Sequence, residues 1–197
     1  MRRLVTTAGL ALVLVLAGCD SDDDSSSGSS TSSSSRTSTS TSTTTTTVPC
    51  VSTGTLDSKE NALAPVTQHL TDLTTATDGC VDTVTFTFRP SEAPAPSYRV
   101  EYASGPFTNS AGVAVTPEGT VFLRVRFEPA WIADLSMESA PLTYTGPRVI
   151  TPTGLKSVRG IAMYEATEAV VGWVIGLDSQ QPFSVDATAE NVVVKIG

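Results

Sequence analysis

The chain has 197 residues, with 12 Lys and Arg against 20 Asp and Glu and a formal net charge of −8. That balance argues against a nucleic-acid binder, whose affinity rests on neutralised phosphates, and against electrostatic docking onto anionic lipid. One His and three Cys give no paired-His, His-Glu-x-x-His or Cys-rich spacing, so no metal or other cofactor is expected.

Residues 1–18 read as a secretory signal. Arg2 and Arg3 supply a short positive start, and residues 4–17 are apolar except for Thr6, Thr7 and Gly9. The run is shorter than the roughly 20 apolar residues that span a bilayer core. It ends in Leu16-Ala17-Gly18-Cys19, which resembles the lipobox of bacterial lipoproteins. The resemblance implies cleavage before Cys19 and a diacylglycerol on its thiol, two acyl chains being enough for stable membrane attachment. The alternative is an ordinary signal peptide with a chance Cys.

Residues 19–49 follow as a linker. Between 25 and 47, 21 of 23 positions are Ser or Thr, the exceptions being Gly28 and Arg36. Such a tract has no apolar face with which to offset the entropy of ordering, and is expected to be disordered. As a flexible coil it reaches about 30 Å, and about 100 Å fully extended. Its hydroxyls suit O-linked sugar. Asp22, Asp23 and Asp24 read as a solvated acidic run rather than a metal site.

Residues 50–197 form one domain of ordinary size, with 9 Lys and Arg against 16 Asp and Glu. Cys50 and Cys80, an even pair in an exported chain, read as a disulfide, with two free thiols as the alternative. A closed loop of this length contributes about 3.5–4 kcal/mol in the chain-entropy picture.

Within the domain, residues 58–68 read as a loop or short turn and 69–75 as a strand. Residues 81–88 alternate, with Val84, Phe86 and Phe88 on one face and Thr83, Thr85 and Thr87 on the other. A Pro-rich turn follows from Arg89. Residues 98–102 alternate again, as do Val121, Leu123, Val125 and Phe127 against Arg124, Arg126 and Glu128. Residues 129–148 are a long irregular segment. Strands resume at 155–163, 169–177, 182–187 and 191–196. Seven or eight short strands with Gly, Pro and Asp turns indicate an all-β fold, an antiparallel β-sandwich.

No enzyme is expected, because catalysis needs a positioned nucleophile, base or metal. His69 stands alone. Glu92, Glu101, Glu128, Glu138 and Asp178 show no pattern that selects a carboxylate pair. The long segment offers Trp131, Tyr144 and Arg148 as a speculative ligand-binding set, in which an aromatic stacks on a sugar or peptide and Arg148 pairs a carboxylate. Alternatively, Trp131 and Tyr144 plug one end of the sandwich. Trp173, between Val171 and Ile175, reads as core.

Several segments in order resemble the AMIN-like domain of actinobacterial envelope lipoproteins. They are Asp82-Thr83-Val84-Thr85-Phe86-Thr87-Phe88, Tyr98-Arg99-Val100-Glu101-Tyr102 and Leu123-Arg124-Val125-Arg126. Tyr144-Thr145-Gly146-Pro147-Arg148, Trp173-Val174-Ile175-Gly176-Leu177-Asp178 and Pro182-Phe183-Ser184-Val185 complete the set. The resemblance covers residues 69–197. Cys80 departs from it, standing where an aromatic residue is usual. The last strand also departs, lacking the usual Pro-Arg start and acidic end. The resemblance implies a non-catalytic β-sandwich outside the cytoplasm, on the outer face of the cell membrane. Its partner would be peptidoglycan or, alternatively, an envelope protein.

Overall fold

The computed structural model describes residues 49–52, 54–61, 66–91 and 95–197. Cys19, the apolar leader and the Ser/Thr tract lie outside these residues, as does Glu92. Thirteen strands follow in order: β1 (Lys59–Asn61), β2 (Gln68–Thr77), β3 (Asp82–Phe88), β4 (Tyr98–Ala103), β5 (Phe107–Thr108), β6 (Ala114–Val115), β7 (Val121–Phe127), β8 (Ala130–Trp131), β9 (Val149–Ile150), β10 (Val158–Thr167), β11 (Val170–Leu177), β12 (Phe183–Ala187) and β13 (Asn191–Ile196). There is no helix among the described residues. Eight strands have five or more residues, and these are the seven or eight that alternation predicts. The other five are pieces of two or three residues, too short to carry a period.

Two sheets form, in the orders β12-β13-β3-β2-β8 and β1-β4-β7-β11-β10-β9, with β5 and β6 as a separate hairpin. All pairs are antiparallel except β2 with β8. The inward rows meet in one core. The five-stranded sheet sends in Leu70, Val84, Phe86, Phe88, Val192 and Val194. The six-stranded sheet answers with Val100, Leu123, Val125, Phe127, Trp173 and Ile175. Phe127 lies edge-on to Phe86 and Phe88, with centroids 5.0 and 4.9 Å away, and Phe86 meets Trp173 at 6.0 Å. Each such side chain contributes about 1.5–3 kcal/mol on leaving water, so the predicted inward rows account for the sandwich.

The six-stranded sheet is also covered on its outer side, which the alternation does not predict. Residues 104–119 cross it, and Phe107 packs on Phe122 and Tyr164 above Val174 and Ala162. Two glycines make the approach possible. A Cβ on Gly176 would stand 1.9 Å from the Glu118 carbonyl oxygen and one on Gly160 2.6 Å from the Glu118 nitrogen, while one on Gly172 would stand 2.5 Å from the Tyr164 ring of the neighbouring strand. Glycine inside a strand commonly marks such close passage of another segment.

The sheets are stitched together twice more. Buried Asp82 of β3 accepts backbone N–H groups from Lys156, Ser157 and Val158 at 2.9, 2.6 and 3.0 Å, where the chain enters β10. Burial works against its ionisation, but these donors outweigh it and hold the carboxyl below its ordinary range. The second stitch is the segment before β2. Cys50 is disulfide-bonded to Cys80, with Cα atoms 5.2 Å apart. Thr55 exchanges two backbone hydrogen bonds with Phe183, at 3.1 and 2.9 Å. Then β1 pairs with β4. The loop expected over 58–68 therefore contains a strand, at the edge of the six-stranded sheet, while Thr55 just before it meets the edge of the other.

Candidate functional site

The long segment after β7 is pinned along both its arms. β8 pairs in parallel with the start of β2, placing Gln68 beside Ala130 and His69 beside Trp131. Alternation then divides them. Gln68, Ala130 and Ile132 are buried, and His69 and Trp131 are half-buried, facing outward. On the return arm Leu142 bridges to Ala133, Pro141 accepts the Asp134 N–H at 2.9 Å, and the Thr143 hydroxyl donates to the Leu70 carbonyl at 2.8 Å.

This architecture builds a cleft of about 460 Å³ lined by His69, Arg89, Pro90, Trp131, Asp134 and Leu135, among others. Arg89 follows β3, and its backbone N–H donates to the His69 carbonyl at 2.8 Å. Its Nη1 donates to Asp134 Oδ2 at 2.6 Å. Asp134 also accepts the Ser136 hydroxyl at 2.6 Å and the Ser136 N–H at 3.1 Å. The Ser136 hydroxyl and then the Arg89 guanidinium hold the Asp134 carboxyl far below the usual range. Behind the wall, buried Gln68 donates from Nε2 to the Ser91 hydroxyl at 2.9 Å. The cleft thus combines an aromatic face, an imidazole, a guanidinium and hydroxyls. Its only carboxylate among the described residues, Asp134, is already paired. Ser136 gives its proton to Asp134 rather than to His69, so the arrangement suits holding a ligand. Among the described residues no group of three or more His, Cys, Asp or Glu is placed to hold a metal.

The structure does not bring Trp131, Tyr144 and Arg148 together. Tyr144 is 3 % exposed, its ring edge-on to Trp173 at 5.6 Å and its hydroxyl donating to the Pro147 carbonyl at 2.7 Å. It wedges the loop onto the core, the plugging alternative, and presents no open face to a ligand. Gly146 lets the ring pass, since a Cβ there would stand 2.8 Å from it. Arg148 is exposed and lines a separate recess with Asn109, Tyr164 and Glu165. Its sequence proximity to Trp131 is lost because β9 carries it to the edge of β10.

The other carboxylates fall elsewhere. Glu101 sits between Arg99 and Arg124, and the hydrogen bond from Arg124 followed by that from Arg99 holds its carboxyl low. Glu128 pairs with Arg126, and Asp178 with Arg159. A recess of about 540 Å³ beside β1 and β4 is lined by Glu60, Arg99, Glu101, Arg124, Arg126 and Glu128. Larger than the Trp131 cleft, it is a ladder of mutually satisfied charges with half-buried Tyr98 in its lining. Sequence reasoning missed Arg89 and Asp134, which are 45 residues apart and have no local signal that joins them.

The described residues form an all-β sandwich with a polar-aromatic cleft at one sheet edge. The chain belongs to the AMIN-like domain family, which matches residues 68–197. AMIN-like domains are envelope-associated, peptidoglycan-related modules that are generally non-catalytic. The matched region contains the cleft lining except Thr67, and the stitch over residues 50–61 precedes it. No curated protein and no solved structure matches the chain.

Proposed function

We propose that the chain is a lipoprotein, held on the outer face of the cell membrane through Cys19, whose domain binds cell-wall peptidoglycan without catalysis. The observation that carries this reading is Trp131. It faces outward beside His69 and Arg89 on a pinned loop, where an aromatic ring can stack on a sugar. Tyr144 serves that site from beneath as a wedge, and Arg148 lies apart from it. The Leu16-Ala17-Gly18-Cys19 sequence supports the anchor, and the Ser/Thr tract gives the domain reach toward the wall.

Sedimentation with purified cell wall tests the reading. The mature chain carrying Cys19→Ser, used to remove the lipid, is expected to pellet with the wall, and Trp131→Ala to stay in the supernatant. A wild-type domain that stays in the supernatant overturns it. Membrane fractionation tests the anchor, since Cys19→Ser should release the protein from the membrane.

A second reading rests on a different observation. Leu135, Met137 and Leu142, on the loop's outer part, are 52 %, 54 % and 57 % exposed, a character suited to a protein partner such as an envelope enzyme or assembly. Crosslinking that recovers one stoichiometric protein, with no wall sedimentation, would favour it.

A further inference from the structure

Resting on the wall-binding reading, we propose that Arg89 reads a carboxylate, so that the unit seated against Trp131 is an acidic saccharide whose carboxylate is free, as on a glycan strand that has lost its stem peptide. The argument starts from how the guanidinium is held. Asp134, with a side chain only 11 % exposed, is fixed by Ser136 and takes Nη1 of Arg89. The Arg89 side chain is 48 % exposed. Its Nε and Nη2 have no partner among the described residues, which leaves one edge of the fork for a bidentate carboxylate.

The surroundings favour the same ligand. The domain as a whole is acidic, yet among the described residues the cleft lining has no carboxylate other than Asp134. Charges more than about 8 Å away are largely screened at physiological salt, so the distant acidic groups do little at the cleft, where Arg89 and Asp134 balance each other. The Trp131 ring, Leu135 and Pro90 offer apolar faces to the C–H side of a pyranose. The ladder of Arg99, Arg124 and Arg126 is a poorer candidate, because Glu60, Glu101 and Glu128 already occupy it.

N-acetylmuramic acid and N-acetylglucosamine separate the terms, since they share ring and acetamide and differ by the lactyl carboxylate on O3. Each is titrated into the mature Cys19→Ser chain and followed by tryptophan fluorescence and NMR shifts. The acid is expected to bind about tenfold tighter, a typical gain for one good charged contact. Arg89→Gln should abolish the preference, so that the acid and the neutral sugar bind alike. Arg89→Lys keeps the charge and the pairing with Asp134 but loses the fork, and should lose most of the preference. Equal affinities, a preference that survives Arg89→Gln or Arg89→Lys, or no binding of either sugar at millimolar concentration would overturn the proposal. Wall sedimentation that still depends on Trp131 while the two sugars bind alike would sink this inference alone. Loss of sedimentation by the wild type would sink the reading beneath it.

Discussion

β3 and β11 hold equivalent interior places in their sheets, yet one has an open outer face and the other a covered one. In β3 buried residues alternate with half-buried Thr83, Thr85 and Thr87, whereas all eight residues of β11 are buried. Alternation reports a sheet with one face on the core, and a continuous apolar run reports two covered faces. The run Val170-Val171-Gly172-Trp173-Val174-Ile175-Gly176-Leu177 carries both signals of its cover, outward apolar residues and, at Gly176, a glycine where another backbone passes. The molecule is therefore two layers thick at β3 and three at β11.

The sharpest way to break that comparison is to place one charge at matching outward positions. Val174→Asp buries a carboxylate beneath residues 104–119 and is expected to cost about 4 kcal/mol. Thr85→Asp, on the open face, should stay within about 1 kcal/mol. Chemical denaturation of both variants reads the difference, and equal costs would show that the segment does not seal β11.

The next largest effect concerns the stitch outside the core. Cys50→Ser with Cys80→Ser opens a loop with a sequence separation of 30 residues and should cost about 3.5 kcal/mol. Reduction of the wild type should match it. A much smaller loss would mean that the Thr55–Phe183 and β1–β4 pairings hold the segment without covalent help.

Asp82 stitches the sheets from within, and its effect depends on pH. Asp82→Asn puts an amide where three N–H groups need an acceptor, and should cost about 2 kcal/mol at neutral pH. Because the folded carboxyl titrates below its unfolded value, its contribution is complete above about pH 4 and is lost as pH falls through the depressed value. The wild type should therefore lose stability more steeply than Asp82→Asn on acidification below about pH 4. Parallel acid profiles would remove Asp82 as the cause.

Much of the fold was legible because long strands write their environment into a period of two. The inward rows of β3, β4 and β7 read directly as Val84-x-Phe86-x-Phe88, Tyr98-x-Val100-x-Tyr102 and Leu123-x-Val125-x-Phe127. The paired cysteines likewise read as a disulfide. What was not legible depends on contacts across the chain. β1, β8 and β9 are strands only because a neighbouring edge pairs with them. The hairpin of β5 and β6 is a local pair whose cover of β10 and β11 is tertiary. At the site, Trp131 had a visible aromatic signal, but its cationic neighbour is Arg89, brought there by β2 pairing with both β3 and β8. Arg148, nearer in sequence, is carried to another edge.

The smallest effect divides that loop itself. Trp131 lies on its open side and Tyr144 on its covered side, so substitutions at the two should register in different measurements. Tyr144→Phe keeps the ring on Trp173 and removes only the hydrogen bond to Pro147, an expected loss of about 1 kcal/mol. Wall sedimentation should persist, because the ring that holds the loop down is still present. Trp131→Ala should do the reverse, costing little stability for a half-exposed side chain while abolishing sedimentation. If Tyr144→Phe weakened wall binding without lowering stability, the Tyr144 hydroxyl would belong to the ligand, and the division of the loop into a supporting and a contacting face would fail.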